Sequence, residues 1–202
     1  DLASSEAAPE AKTADKPETD AKAQAFKLDI DSVKIDNASV SYKDESRGTQ
    51  IAISQLNLQT GHIADKTPTT LELSAKVDGV KPRVALSMGL KGGMTMDLEA
   101  RKLAFTQLTA SLAGNLQDGA TQFSDLDLKL DADDLQLDSD AMRVAARKLA
   151  LTAKGKSASN TFDVKADLAT LDLDGKTSRV SVEGLAAGGS AAAEGVQLSR
   201  FS

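Results

Sequence analysis

The sequence predicts an all-β chain, a long antiparallel meander with little helix. Three observations lead there. Apolar and polar residues alternate in about a dozen short runs, Asp-Gly and Gly-Gly pairs punctuate them, and no proline follows Pro82. Strict alternation marks a half-buried strand, because successive side chains point to opposite faces of the sheet. Glycine supplies the positive φ of tight hairpin turns, and short connections make neighbouring strands antiparallel. A proline inside a strand would lose a ladder hydrogen bond.

The runs begin after a different kind of segment. Residues 1–25 are mostly Ala, Lys, Glu, Asp, Thr and Pro, with Leu2 the one aliphatic larger than Ala. Such a stretch buries too little apolar surface to offset its ordering entropy, and is expected to be a disordered linker or tail. Residues 26–202 are expected to form a single β-rich domain.

Within it Phe26, Leu28 and Ile30 alternate with Lys27 and Asp29, and Val33, Ile35, Val40 and Tyr42 follow. Ile51, Ile53, Leu56 and Leu58 come next, then Leu71 to Val77, Val84 to Leu90, Met94 to Ala100, and Leu103 with Phe105. Later runs are Leu126 to Leu130, Leu135 and Leu137, Leu149 and Leu151, Phe162 to Leu168, Leu171 and Leu173, and Val180 and Val182. Asp78-Gly79, Lys91-Gly92-Gly93, Asp118-Gly119 and Asp174-Gly175 read as turns, and Lys154-Gly155-Lys156 as a weaker one. Residues 141–150, AMRVAARKLA, fit helix and strand periodicity alike; strand is preferred because both neighbours are strands. Residues 185–195 are rich in Gly and Ala and read as a loop before a last strand, Val196 to Phe201. Hairpin-like units recur without a fixed period, which excludes a solenoid with a countable repeat.

Composition narrows the function. The net charge is -6, from 24 basic and 30 acidic residues. Nucleic-acid binding needs a basic face, so it is disfavoured. The chain has no Cys, which removes disulfides, thiolate metal sites and thiol catalysis. His62 is the single histidine, so any Ser-His-Asp triad would have to use it, and a hydrolase built on His62 is a further competing expectation. No stretch has the roughly 20 apolar residues of a membrane-spanning helix. The chain opens on Asp rather than Met, and is expected to be a processed protein or an internal or C-terminal fragment.

Several constellations carry little chemistry. Asp125, Asp127, Asp131, Asp133, Asp134, Asp138 and Asp140 could suggest calcium. The central Gly and terminal Glu of a calcium loop are missing, and alternation alone puts polar residues on a wet face. Gly92-Gly93 and Gly188-Gly189 lack the Lys-Ser/Thr of a phosphate loop. No catalytic residue, metal site or cofactor is expected. The informative feature is the apolar face itself. Closed into a sandwich it is an ordinary core; left open it is a long groove suited to acyl chains. Linear aliphatics and Met fit flexible chains better than rings.

One stretch favours the open form. FKLDIDSVKIDNASVSY, residues 26–42, is followed directly by KDESRGTQIAISQLNLQTG. A strand, an Asn turn, an aromatic, an Asp and a Leu-x-Leu hairpin in that order resemble the AsmA family of bacterial envelope proteins. Downstream blocks such as TPTTLELSAKV and FSDLDLKLDADDLQLD are similar too, over roughly residues 26–185.

The resemblance implies a strongly curved, β-taco-like sheet that forms an apolar groove. It implies no enzyme activity. It implies a periplasmic protein tethered to the inner membrane by an anchor absent from this chain. The implied role is outer-membrane assembly and lipid homeostasis, with phospholipid or lipopolysaccharide acyl chains as partners and other envelope proteins beside them. Candidate groove residues are Leu28, Ile30, Ile51, Ile53, Leu71, Leu73, Val84, Leu86, Met88, Met94, Met96, Leu98, Leu126, Leu128 and Leu130. Strand phase across the turns is open at this point. The competing expectation is a structural or adhesive β-repeat module of a bacterial surface, with a closed, dry core and no ligand.

Overall fold

The computed structural model describes residues 27–158, 160–193 and 196–201. The segment expected to be a linker, residues 1–25, lies outside them. The described residues form β-strands and no helix. The strands are β1 (Asp29–Ile30), β2 (Lys34–Asp44), β3 (Thr49–Thr60), β4 (Ile63–Ala64), β5 (Thr69–Val80), β6 (Arg83–Asp97) and β7 (Lys102–Asp118). They continue as β8 (Thr121–Asp138), β9 (Arg143–Ser157), β10 (Asn160–Asp174), β11 (Arg179–Glu183), β12 (Ala186–Ala193) and β13 (Val196–Phe201).

Eleven strands make one sheet in the order β13-β12-β10-β9-β8-β7-β6-β5-β3-β2, with β11 also on β10. Every neighbour is antiparallel. β11 and β12 lie end to end on one edge of β10, against Thr170–Asp174 and Thr161–Asp167. The small β1–β4 pair, Asp29 with Ala64 and Ile30 with Ile63, keeps the register of Lys34 with Gln59 and prolongs the β2–β3 ladder.

Several expected turns lie inside strands. Lys91-Gly92-Gly93 belongs to β6, Asp78-Gly79 to β5, Lys154-Gly155-Lys156 to β9, and Asn37 to β2. Conversely, Leu98 and Ala100 leave the strand for the β6–β7 turn. Residues 186–193, expected as loop, form β12 against β10. Small size does not prevent pairing there, because the ladder uses the backbone. Asp118-Gly119 and Asp174-Gly175 do start turns, and residues 143–150 are strand.

The glycines inside strands have contact reasons. A methyl on Gly92 would press on the backbone of Leu108 at 3.1 Å, and one on Gly155 would meet Leu126 and Phe162 at 2.9 Å. Gly114 adopts φ +135°, and a methyl there would land on the Ala85 carbonyl.

Where alternation breaks, the strands carry extra residues. Gln107 enters β7 opposite Gly92, where the β6–β7 register shifts between Lys91 and Gly93. The pairs Thr106–Asp134 and Leu108–Ala132 show the same insertion in β8, at Asp133. The register carries it on to Lys148 in β9 and Ala169 in β10. Gln107 and Lys148 are left-handed, at φ 50° and 47°. Two more bulges are stitched by asparagine. Asn57 Oδ1 accepts the Asn37 N–H at 2.9 Å, and Asn115 Oδ1 accepts the Asp125 N–H at 3.0 Å. These side chains replace ladder acceptors that the extra residue removed.

A single turn design recurs. In the β2–β3, β6–β7, β8–β9 and β10–β11 connections an Asp closes the strand and pairs with the residue five positions on. The Asp carboxylate accepts the N–H three residues ahead: Arg47 to Asp44, Ala100 to Asp97, Ala141 to Asp138 and Thr177 to Asp174. The fourth turn residue is left-handed in each: Gly48, Arg101, Met142 and Ser178. Asp suits the first position because its short carboxylate reaches the turn backbone.

The sheet is a single layer among the described residues. All the long strands are hydrogen-bonded into one sheet, and most of their apolar side chains keep some exposure. Among the described residues the buried apolar side chains are Ala75, Leu108, Ala132 and Ala146, and no side chain is completely enclosed.

Candidate functional site: an uncovered apolar face

Register fixes what sequence left open, the phase of each strand. Ile35, Leu58, Leu73, Leu90, Ala110, Leu130, Leu151, Ala166 and Ala187 are consecutive cross-strand partners from β2 to β12. Cross-strand partners share a face, so these residues form one apolar row. At about 4.8 Å between strands, the row runs on the order of 40 Å. A parallel row holds Ala75, Met88, Leu112, Leu128, Ala153 and Val164. Between them, on the other face, run Ser74, Gly89, Ser111, Lys129, Thr152 and Lys165. The two faces are thus sorted by polarity.

The extra residues preserve this sorting. In β7 the apolar face takes Leu103 and Phe105 before Gln107, then Leu108, Ala110 and Leu112 after it. Without the insertion half of the strand would turn its leucines to water. The residues flanking the line of insertions on the apolar side are small or closely covered: Gly92, Leu108 at 5% exposure, Ala132 at 3% and Ala146 at 2%.

Of the residues expected to line a groove, Ile51, Ile53, Leu71, Leu73, Val84, Leu86, Met88, Met94, Met96, Leu126, Leu128 and Leu130 share this face. The structure does not bring the other three onto it. Leu28 precedes β1, Ile30 belongs to the β1–β4 pair, and Leu98 lies in a turn at 39% exposure. Leu108, Leu112 and Leu116 belong to the face and escaped the sequence reading. Their alternation is present in QLTASLAGNLQ, diluted by Ala and Gly.

The polar face carries the ion pairs. Lys91 Nζ lies 2.5 Å from Glu72, Lys154 lies 3.1 Å from Asp163, and Lys148 lies 2.8 Å from Asp133. Arg143 grips both carboxylate oxygens of Asp172, which lowers the Asp172 pKa and raises that of Arg143. Hydrogen bonds from the turn backbone likewise hold Asp138 and Asp174 below the usual carboxylate range.

The aspartates considered for calcium meet nearby partners. Asp125 meets Lys156, Asp127 Lys129, Asp131 Thr109, Asp133 Lys148, Asp134 Gln136, Asp138 Lys102 and Asp140 Arg101. Among the described residues no group of three His, Cys, Asp or Glu is placed to hold a metal. His62 is exposed and meets Asp29 Oδ1 at 2.7 Å. No helix among the described residues is long and apolar enough to cross a membrane.

Two depressions of about 930 and 510 Å³ open mainly on the polar face. The larger is lined by Lys102, Asp134, Gln136, Arg143, Arg147 and Asp172, the smaller by Asn57, Ser74, Gly89, Thr109 and Ser111.

A protein-family model, described as the AsmA family, matches residues 1–181. No curated protein and no solved structure matches the chain.

Proposed function

The chain belongs to the AsmA family, and from that premise we propose that its apolar face holds the acyl chains of phospholipid or lipopolysaccharide in the bacterial envelope. The observation that carries the proposal is the uncovered row from Ile35 to Ala187, an aliphatic strip crossing the sheet with no second layer of the described chain upon it. Apolar surface left to water costs about 25 cal/mol per Å², so a contiguous strip of this length favours an apolar guest. The bulges at Gln55, Gln107 and Asp125 support a curved sheet, because an extra residue bends its strand and increases its twist.

The mechanism is passive and involves no catalytic step. Acyl chains lie along the aliphatics, while headgroups stay at the wet rim. Affinity is the apolar burial less the ordering costs of the guest, so binding is reversible. A periplasmic location with an inner-membrane tether, and contact with other envelope proteins, belong to the same reading. A dry, closed core would bury its aliphatics, whereas among the described residues only Ala75, Leu108, Ala132 and Ala146 are buried.

The test is lipid extraction and mass spectrometry on the protein purified from bacterial membranes under mild conditions. Wild type is expected to carry phospholipid. Met88→Lys, on the apolar row, is expected to lose it, and Ser87→Lys, its neighbour on the polar face, to keep it. Lipid-free wild type, or equal loss in both variants, would remove the reading.

A further inference from the structure

Among the described residues β2 is an outer strand of the sheet. Natural edge strands are usually guarded by charge, proline or bulges. Here the guards sit only at the ends. Lys34, Asp36 and the Asn37 bulge flank one side, and Lys43 and Asp44 the other. Between them Ala38–Tyr42 carries neither charge nor proline, and Val40 and Tyr42 are 61% and 60% exposed.

We propose that this edge pairs antiparallel with β2 of a second copy of the chain, centred on Val40. That register sets Val40 against its counterpart, Ala38 against Tyr42, and Ser39 against Ser41. Large meets small, and hydroxyl meets hydroxyl. Asn37 is the extra residue that the β2–β3 ladder skips, so Asp36 then falls opposite Lys43, twice by symmetry. Slipping by two residues in one direction sets Lys43 against Lys34; slipping in the other sets it against Ser39. Only the Val40-centred register joins opposite charges. Within one copy these groups have weak, exposed partners: Lys34 lies 3.8 Å from Asp36, and Glu45 lies 2.8 Å from Lys43.

The symmetry axis of an antiparallel pair is normal to the sheet. Both apolar faces therefore lie on the same side, and the strip doubles in length. One strand-to-strand seam is a small interface, so the dimer is weak and concentration-dependent.

The lack of cysteine makes the test clean. Facing Cα atoms in an antiparallel pair are about 4.5–5.5 Å apart, within disulfide reach. Under mild oxidation of the full chain, Val40→Cys is expected to give disulfide-linked dimer. Val80→Cys, equally exposed at the end of β5, is expected to stay monomeric. Adding Asp36→Lys to Val40→Cys should cut the yield several-fold, and a further Lys43→Asp should restore it. Equal crosslinking at residues 40 and 80, none at 40, or no rescue by the charge swap would overturn the proposal. The crosslink is read without lipid, so it stands or falls apart from lipid binding.

Discussion

Lys148 reaches across from β9 to Asp133 on β8, its Nζ 2.8 Å from Oδ2. Both are the extra residues of their strands. Gln107, the extra residue of β7, donates to the other oxygen of the same carboxylate at 3.5 Å. Three strands thus insert a residue at one level and tie the insertions together on the polar side. The apolar side of that line holds small or closely covered residues.

The left-handed backbone at Gln107 gives the first prediction. A β-branched residue tolerates φ near 50° poorly, so Gln107→Val should cost about 1–2 kcal/mol. Gln107→Gly should be near neutral or stabilising, since glycine enters that region freely. Lys148→Val and Lys148→Gly should order the same way. Urea midpoints measure the difference; equal midpoints for Val and Gly would deny a left-handed insertion.

Glycines separate close approach from turn freedom. Gly114→Ala places a methyl on the Ala85 carbonyl and should cost about 3 kcal/mol or more. Gly119→Ala, at φ 55° in a turn with nothing within 4 Å, should cost only about 1 kcal/mol. Thermal unfolding of the two variants decides whether β6 and β7 approach as closely as described.

Much of the fold was legible in the sequence because alternation reports strands directly. It misled where a strand inserts a residue. The switch from Leu103 and Phe105 to Leu108 and Ala110 looks like a strand ending and another beginning, yet Gln107 only shifts phase within β7. Glycines mislead in the same way: Gly92 and Gly155 relieve contacts inside strands, whereas Gly119 and Gly175 serve turns. The phase that joins one apolar run to the next was not legible, because one unseen insertion turns every later side chain over. Neighbour register at Asp133, Lys148 and Ala169 supplies it.

Three turn aspartates, and Asp172 held by Arg143, are expected to set the acid limit. Asp44, Asp138, Asp172 and Asp174 all titrate below the ordinary carboxylate value when folded. A depressed folded pKa stabilises above the unfolded pKa, near 3.9, and that stability is lost as pH falls through the folded value. Chemical-denaturation midpoints should therefore be flat across neutral pH and fall below about pH 4. Lys66 and Lys148 are raised by Glu99 and Asp133, so their contribution is full below about pH 10 and is lost as pH rises through their folded values. Asp138→Asn combined with Asp174→Asn should flatten the acid limb; an unchanged limb would show that the turns do not set it.

Burial along the insertion line is uneven, and stability should follow it. Leu108, 5% exposed, should cost about 2–3 kcal/mol on truncation to Ala. Leu151, 40% exposed on the same face, should cost less than about 1 kcal/mol. Equal costs would mean that something else covers Leu151.

Lipid holding requires that a hydrocarbon chain reach the apolar face. Single cysteines at Leu112 and Ser111, neighbours on opposite faces of β7, can carry bimane and be mixed with phosphatidylcholine bearing a doxyl group on its acyl chain. Strong quenching at residue 112 with little at 111 is the predicted result. Equal quenching at both positions, or none at 112, would contradict it.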